Sequence, residues 1–171
     1  MLKKAVFYAG LAMMMGNSVQ PVAAQLAASV STDFTVNITP PPCYVTSPSA
    51  IPLGDVNYNQ SWEGAPFEIS IRCDSSVRTA LTATAARNTI MLTDTTLAFM
   101  MNGQVTGASL ALLDTSANNA GIKFTGNDTD TFCSGDQDRF CSIKPKVTTG
   151  LQNMADGGEA TAVVKFNLIY L

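Results

Sequence analysis

The chain has 171 residues, with 10 basic and 13 acidic side chains, no histidine and a formal net charge of −3. The missing histidine excludes catalytic groups and zinc sites that depend on an imidazole. The basic residues are few and never clustered, so no footprint for nucleic acid is present, and the low charge with many Thr, Ala, Val, Ile and Leu indicates an all-β chain.

The first 24 residues have the organisation of a secretory signal. A short basic region holds Lys3 and Lys4, an apolar run covers residues 5–15, and Val22-Ala23-Ala24 offers a small-residue cleavage site. The run is shorter than the roughly 20 apolar residues of a membrane-spanning helix, so we favour a signal peptide over an anchor. The mature chain then starts at Gln25, with eight basic and 13 acidic residues and a net charge of −5.

The next segment predicts an extended strand that is held away from the domain behind it. Apolar or β-branched side chains occupy alternate positions, at Val30, Thr32, Phe34, Val36 and Ile38. Pro40-Pro41-Pro42 follows, and consecutive prolines are stiff and cannot continue a ladder. We therefore divide the mature chain into an arm with a proline linker, residues 25–42, and a domain, residues 43–171. An arm of this kind favours docking onto another molecule.

The middle of the chain predicts short β-strands between turns. Residues 67–73 alternate without a break, which places Phe67, Ile69, Ile71 and Cys73 on one buried face. Residues 77–83 repeat the pattern, with Arg78 and Thr82 on the solvent face. No window outside the signal has a sustained helical period, and short strands at this spacing indicate a sandwich or barrel.

Later strands are predicted at residues 90–92, 97–101, 110–113, 122–124 and 143–147. Asn102-Gly103 predicts a tight hairpin turn. Pro145 places the last of these strands at a sheet edge or at a bulge, because proline cannot donate to a ladder.

The final strand opens at Gly157-Gly158 and runs to Leu171. Its inward positions are Ala160, Ala162, Val164, Phe166, Leu168 and Tyr170. Since no strand follows it, the sequence predicts an open apolar edge, which natural proteins normally cover.

Two groups of polar or reactive side chains remain. Cys43, Cys73, Cys133 and Cys141 are even in number and follow a secretory signal, which indicates an oxidising compartment and two disulfides with three possible pairings. Asp128, Asp130, Asp136 and Asp138 suggest either a calcium loop or a solvated loop. We favour the solvated loop, because the spacing lacks the glycine and terminal glutamate of a helix–loop–helix site.

The two ends of the mature chain resemble subunits of chaperone–usher pili, the fimbrial proteins of Gram-negative bacteria. Tyr170 is penultimate, Gly158 is fourteenth from the C-terminus, and alternating apolar residues lie between them. Cys43 follows the alternating arm and Cys73 lies on the second core strand, while residues 110–114 resemble the family's mid-domain strand. Three features depart from the pattern: Val36 stands where many members have glycine, Cys133 and Cys141 are additional, and so are the three prolines.

The resemblance implies an incomplete immunoglobulin-like β-sandwich that lacks its last strand and is completed by donor-strand complementation. A periplasmic chaperone lends a strand, and an outer-membrane usher exchanges it for the arm of a neighbouring subunit. The chain is then exported to the periplasm and assembled into an extracellular fimbrium, with no cofactor and no enzymatic activity. The implied donor residues are Val30, Thr32, Phe34, Val36 and Ile38, and the implied acceptor residues are Gly158, Ala160, Ala162, Val164, Phe166, Leu168, Tyr170 and Leu171.

The resemblance also favours one disulfide pairing, Cys43–Cys73 with Cys133–Cys141. We expect Cys43–Cys73 to cross the sandwich core, since Cys73 shares the inward face of Ile71. Cys133–Cys141 is expected to close a separate small loop.

Two other functions compete with a shaft, adaptor or minor subunit. A single-domain adhesive subunit would bind a host glycan or protein receptor, with Tyr44, Tyr58 and Trp62 as stacking residues, although such residues more often pack on a core or a strand edge. A secreted enzyme is the third possibility, and the missing histidine and nucleophile motif argue against it.

Overall fold

The computed structural model describes residues 41–150 and 158–171, together with Asp33, Thr35, Val36 and Thr39. This part of the chain is all-β, with a single 3-10 turn at Thr115–Ala117, and it contains no helix that is long and apolar enough to cross a membrane. The strands are β1 Cys43–Thr46, β2 Ser61–Glu63, β3 Phe67–Cys73, β4 Thr79–Ala86, β5 Met91–Thr93, β6 Thr96–Met101, β7 Gln104–Asp114, β8 Ala120–Gly121, β9 Phe132–Gly135, β10 Arg139–Thr149 and β11 Val163–Tyr170.

The strands form two antiparallel sheets. The first has the order β1-β3-β10-β7-β6-β5, with β2 pairing to β10 and β8 pairing to β7; the second has the order β11-β4-β9. The predicted all-β fold is thus confirmed. The β6–β7 turn is also where the sequence placed it, because Asn102 and Gly103 both have positive φ, 51° and 78°, as a tight hairpin turn requires.

The core lies where the alternating faces of the strands meet. Strand β3 has the predicted bounds, and its Ile69 and Ile71 are fully buried. Leu81 and Ala83 of β4 and Leu97 of β6 are equally buried and belong to the same cluster.

The prediction for Thr82 is wrong. Thr82 is 1% exposed and its neighbour Ala80 is fully buried, although both lie on the face opposite Leu81. Strand β4 is the middle strand of the second sheet, flanked by β11 and β9. A central strand has a neighbour along each of its edges, and Thr82 lies directly opposite Asn167 of β11; an alternation of threonine and alanine gives no signal of this position.

Two strand predictions also need correction. Residues 143–147 belong to β10, which lies between β3 and β7, so the edge alternative is wrong. The pairing along this edge of β10 is interrupted: β3 pairs with residues 139–143 and β2 with residues 146–148. Between these two segments the N–H of Gly64 donates to the carbonyl of Pro145 at 2.9 Å. Residues 122–124 form no strand, and the short strand there is β8.

The structure contains the disulfides Cys43–Cys73 and Cys133–Cys141, the pairing favoured from the resemblance. Cys43 lies directly opposite Cys73 in the β1–β3 ladder, so the expectation that this bond crosses the core is wrong; we call it the cross-strand disulfide. Cys133 on β9 and Cys141 on β10 belong to different sheets. This second bond, the inter-sheet disulfide, is the one that joins the two layers.

Candidate strand-acceptor groove

Strand β11 is an edge strand. It pairs with β4 along its whole length, from Val163 opposite Ala86 to Tyr170 opposite Thr79. Within the residues that the structure describes, no strand pairs with its other side. The second sheet therefore ends on an open edge at β11.

The hydrogen-bonding phase of β11 determines which backbone groups face that edge. The N–H of Leu171 donates to the carbonyl of Arg78 at 2.9 Å, and the Thr84 hydroxyl donates to the carbonyl of Lys165. Because bonded and non-bonded pairs alternate along an antiparallel ladder, the odd-numbered residues of β11 point their backbone groups at β4. The even-numbered residues point theirs outward, at Val164, Phe166, Leu168 and Tyr170.

The side chains of β11 leave the core incompletely covered. Val164, Phe166 and Leu168 pack against the core cluster but are only partly buried. By contrast, Leu81 and Ala83 on the adjacent β4 are completely buried. These half-buried apolar side chains form a row along β11, the candidate groove, and Ala160 and Ala162 extend the row beyond the start of the strand. The sequence-predicted acceptor residues from 160 to 168 thus lie together on one line.

An aromatic pair forms the floor of this groove. The rings of Phe166 on β11 and Phe132 on β9 meet edge to face, with centroids 6.1 Å apart and an interplanar angle of 69°. They reach each other across β4, where the small side chain of Ala83 lies opposite Phe166. Edge-to-face contact is a favoured geometry for aromatic rings, so Phe132 fixes the position of the central groove residue.

Arg139 holds β9, and with it Phe132, in place. Its Nε donates to the carbonyl of Cys133 at 2.8 Å, and its Nη2 donates to the carbonyl and hydroxyl of Thr79 at 2.9 and 3.0 Å. Burial lowers the pKa of Arg139, and the nearby carboxylate of Asp136 opposes that shift. The guanidinium thus joins β10 to β9 and to β4 at Thr79, which lies opposite Tyr170 in the β4–β11 ladder.

The two ends of the groove are closed differently. At one end Tyr170 is half exposed, and its hydroxyl donates to the carbonyl of Pro41 at 3.0 Å, while Leu171 is 57% exposed. At the other end Gly158 lies so close to Met101 that a Cβ would come within 2.7 Å of the methionine sulfur. A larger residue at this position would require the flexible Met101 side chain to move.

Of the predicted donor residues, the structure describes Val36, which is 75% exposed. Val30, Thr32, Phe34 and Ile38 lie outside the described residues. Their role in donating a strand stays a prediction.

The aromatic side chains considered for sugar binding lie on separate segments. Tyr44 is on β1 opposite Arg72, Tyr58 is in the turn before β2, and Trp62 is on β2. The Trp62 ring covers Gly64, where a Cβ would come within 2.8 Å of it, and this is a packing role. A cleft of about 500 Å³, lined by residues from the 114–134 region, contains none of the three.

Two aspartates of the 128–138 region, Asp130 and Asp138, have hydrogen-bond partners of their own. Asp130 accepts from Lys123 at 2.7 Å and from Thr125 at 2.6 Å, and these contacts lower the pKa of its carboxyl group. Asp138 accepts from the N–H of Cys73 at 2.9 Å. In the described part of the chain, no three cysteine or acidic side chains come together in a way that would hold a metal ion.

An open edge on an all-β sandwich is able to accept a strand from another chain. No family model and no curated protein matches the chain. Among solved structures, the P pilus rod subunit PapA matches with a TM-score of 0.57 and 16% identity, over 76% of this chain and 99% of that one. A chaperone–usher pilus whose structure addresses rod uncoiling matches with a TM-score of 0.55 and 15% identity, over 85% of this chain and 97% of that one.

At these identities the likeness establishes the fold. The chain has the fold of a chaperone–usher pilus subunit, and the expected immunoglobulin-like sandwich is confirmed.

Proposed function

We propose that the chain is a structural subunit of a chaperone–usher fimbria, in a shaft, adaptor or minor position, which polymerises by donor-strand exchange and supports cell adhesion. The observation that carries the proposal is the half-covered apolar side of β11, where Val164, Phe166 and Leu168 complete the core only in part. An inserted strand would cover these side chains and pair with the outward backbone groups of the same residues.

The arm has the pattern that this groove requires. Its alternating residues extend from Val30 to Ile38, nine positions in all, and β11 has eight residues. Burial of four or five such side chains contributes about 1.5–3 kcal/mol each, and the ladder adds hydrogen bonds. Even after the ordering costs of the arm, tight strand addition is expected.

The proposal implies partners and a route. The signal at residues 1–24 directs the chain to the periplasm, where a chaperone strand fills the groove, and the usher then replaces that strand with the arm of the next subunit. The mature product is part of a fimbrium on the cell surface. The pilus components that share this fold support a structural rather than a catalytic role.

The arm and the groove have separable functions, which a deletion tests. Removal of residues 25–38 is expected to leave a subunit that folds and co-purifies with its chaperone, because the chaperone fills the groove. The same subunit is expected to be unable to attach to the subunit ahead of it. The measurement is periplasmic co-purification followed by assembly with a second, wild-type subunit.

A matched pair of substitutions sharpens this test. Phe34→Asp places a charge on the inserted face of the arm, where an unpaired buried charge costs several kcal/mol. Thr35→Asp adds the same charge on the alternate face and serves as the control. Loss of chaperone-bound folding in the deletion, or equal assembly of the two variants, would contradict the proposal.

A further inference from the structure

A second exposed apolar surface lies outside the groove. Ile90, Met91 and Leu92 are 46%, 44% and 51% exposed, and they are consecutive in sequence; we call them the β5 patch. Strand β5 is the edge of the first sheet. An apolar segment on an exposed sheet edge is a surface that natural proteins cover.

The β5 patch lies at the end of the groove where β11 begins. Ala86, the last residue of β4, is opposite Val163, and the turn that follows brings the chain directly to the patch. Within that turn the Thr89 hydroxyl accepts a hydrogen bond from the N–H of Val163 at 2.8 Å. Thr161, just before β11, pairs with Met100 on β6, the strand next to β5.

The direction of strand insertion brings a partner to this end. The second sheet is antiparallel throughout, so an arm that continues the pattern runs antiparallel to β11 and leaves the groove near Val163. Only Thr39 and three prolines separate Ile38 from Cys43. At about 3.1 Å per residue in an extended proline conformation, the body of the incoming subunit starts roughly 12 Å from the groove.

We propose that the β5 patch is a body-to-body docking surface for a second copy of this chain, and that it receives Tyr44 of the subunit whose arm fills the groove. Tyr44 is the second residue after the prolines, lies on the edge strand β1 opposite Arg72, and is 61% exposed. The inference rests on the proposed function, since the arm delivers the partner. The contact adds a second point of attachment next to a stiff linker and thereby sets the angle between neighbouring subunits.

The test compares an intact subunit with the arm alone. Chaperone-bound acceptor carrying Leu92→Glu is mixed either with wild-type subunit or with a synthetic peptide of residues 25–39, and complex formation is followed by size-exclusion chromatography. Docking of the intact subunit is expected to weaken about tenfold, in line with the loss of one apolar contact. Binding of the peptide is expected to be unchanged.

Charge complementation identifies the occupant. A donor subunit with Tyr44→Lys is expected to bind the Leu92→Glu acceptor better than the wild-type donor does. Phe140→Glu is the matched control, because Phe140 is 64% exposed on β10 and pairs opposite Ser70, away from β5; it is expected to leave both kinds of docking unaltered.

Three results would overturn the inference and leave the proposed function intact. The intact subunit could dock equally well to wild-type and Leu92→Glu acceptors, or Tyr44→Lys could fail to improve docking to the Leu92→Glu acceptor. Alternatively, Leu92→Glu could weaken only the binding of the chaperone, which would make the patch a chaperone contact. Failure of the peptide to bind wild-type acceptor would instead refute the proposed function, and the inference with it.

Discussion

Phe166 at the centre of the groove gives the sharpest prediction for a single side chain. It is partly buried and packs on the core cluster, and its ring centroid lies 6.1 Å from that of Phe132. In Phe166→Asp a carboxylate replaces the ring at a position that an inserted strand would close. We expect the variant to lose strand binding, from the chaperone and from the arm alike.

The magnitude follows from the groove geometry. Burial of the ring contributes about 1.5–3 kcal/mol to strand binding when the groove is filled. The edge-to-face contact with Phe132, about 0.5–1.5 kcal/mol, already exists without a partner, so its loss lowers the stability of the subunit instead. Enclosing an unpaired carboxylate costs several kcal/mol more. A total above about 4 kcal/mol corresponds to at least a thousandfold loss of affinity.

The assay is titration with the arm peptide, read together with the amount of chaperone complex in the periplasm. Lys165→Asp is the matched control, since Lys165 is the next residue along β11 and is exposed; its binding should remain within a few-fold of wild type. Wild-type periplasmic levels of Phe166→Asp with normal peptide affinity would refute the assignment of the groove.

Three further predictions concern the framework around the groove, and each is measured by urea unfolding of the peptide-filled subunit. Arg139→Met should destabilise by about 2–4 kcal/mol, with Arg139→Lys intermediate, because methionine donates none of the hydrogen bonds to Thr79 and Cys133; equal stability of Met and wild type would contradict this. Loss of the cross-strand disulfide should cost about 3.5 kcal/mol and loss of the inter-sheet disulfide about 2.5 kcal/mol, following their loop lengths, and the reverse order would show that joining the sheets matters more than the length of the closed loop. The hydrogen bond from Lys123 lowers the pKa of Asp130 below its ordinary value of 3.8. The ionised carboxylate therefore stabilises the folded state above pH 3.8, and this stabilisation is lost as the pH falls through the lower folded-state pKa. Asp130→Asn should remove this contribution to the acid dependence of unfolding, and an unchanged dependence would contradict the assignment.

The sequence predicted the strands whose side chains alternate strongly. Residues 67–73 and the strand ending at Tyr170 carry bulky apolar residues at every second position, and both are strands in the structure. Strands β1, β2 and β9 were not predicted, because they have only three or four residues and no clear alternation. In β9 the backbone of Cys133 has a φ of 51°, a conformation that no strand pattern indicates.

The sequence predicted the row of apolar residues along β11 but not the residues that support it. Val164, Phe166 and Leu168 are consecutive alternate positions, so a local pattern placed them on one face. Phe132 and Arg139 reach the groove through contacts distant in sequence, such as Arg139 to Thr79, 60 residues apart. A lone phenylalanine and a lone arginine in a loop-like segment carry no periodic signal of these contacts.

Residue-resolved amide exchange on β11 tests most directly whether the sandwich is incomplete. In the monomer without a partner, the odd-numbered Lys165 and Asn167 point their N–H groups at β4, whereas those of Val164, Phe166 and Leu168 point at the open edge. The account predicts slow exchange at the odd positions from the start, fast exchange at the even ones, and protection of the even ones on addition of the arm peptide. Even-numbered amides that are already protected in the isolated monomer, or that stay unprotected with the peptide bound, would contradict it.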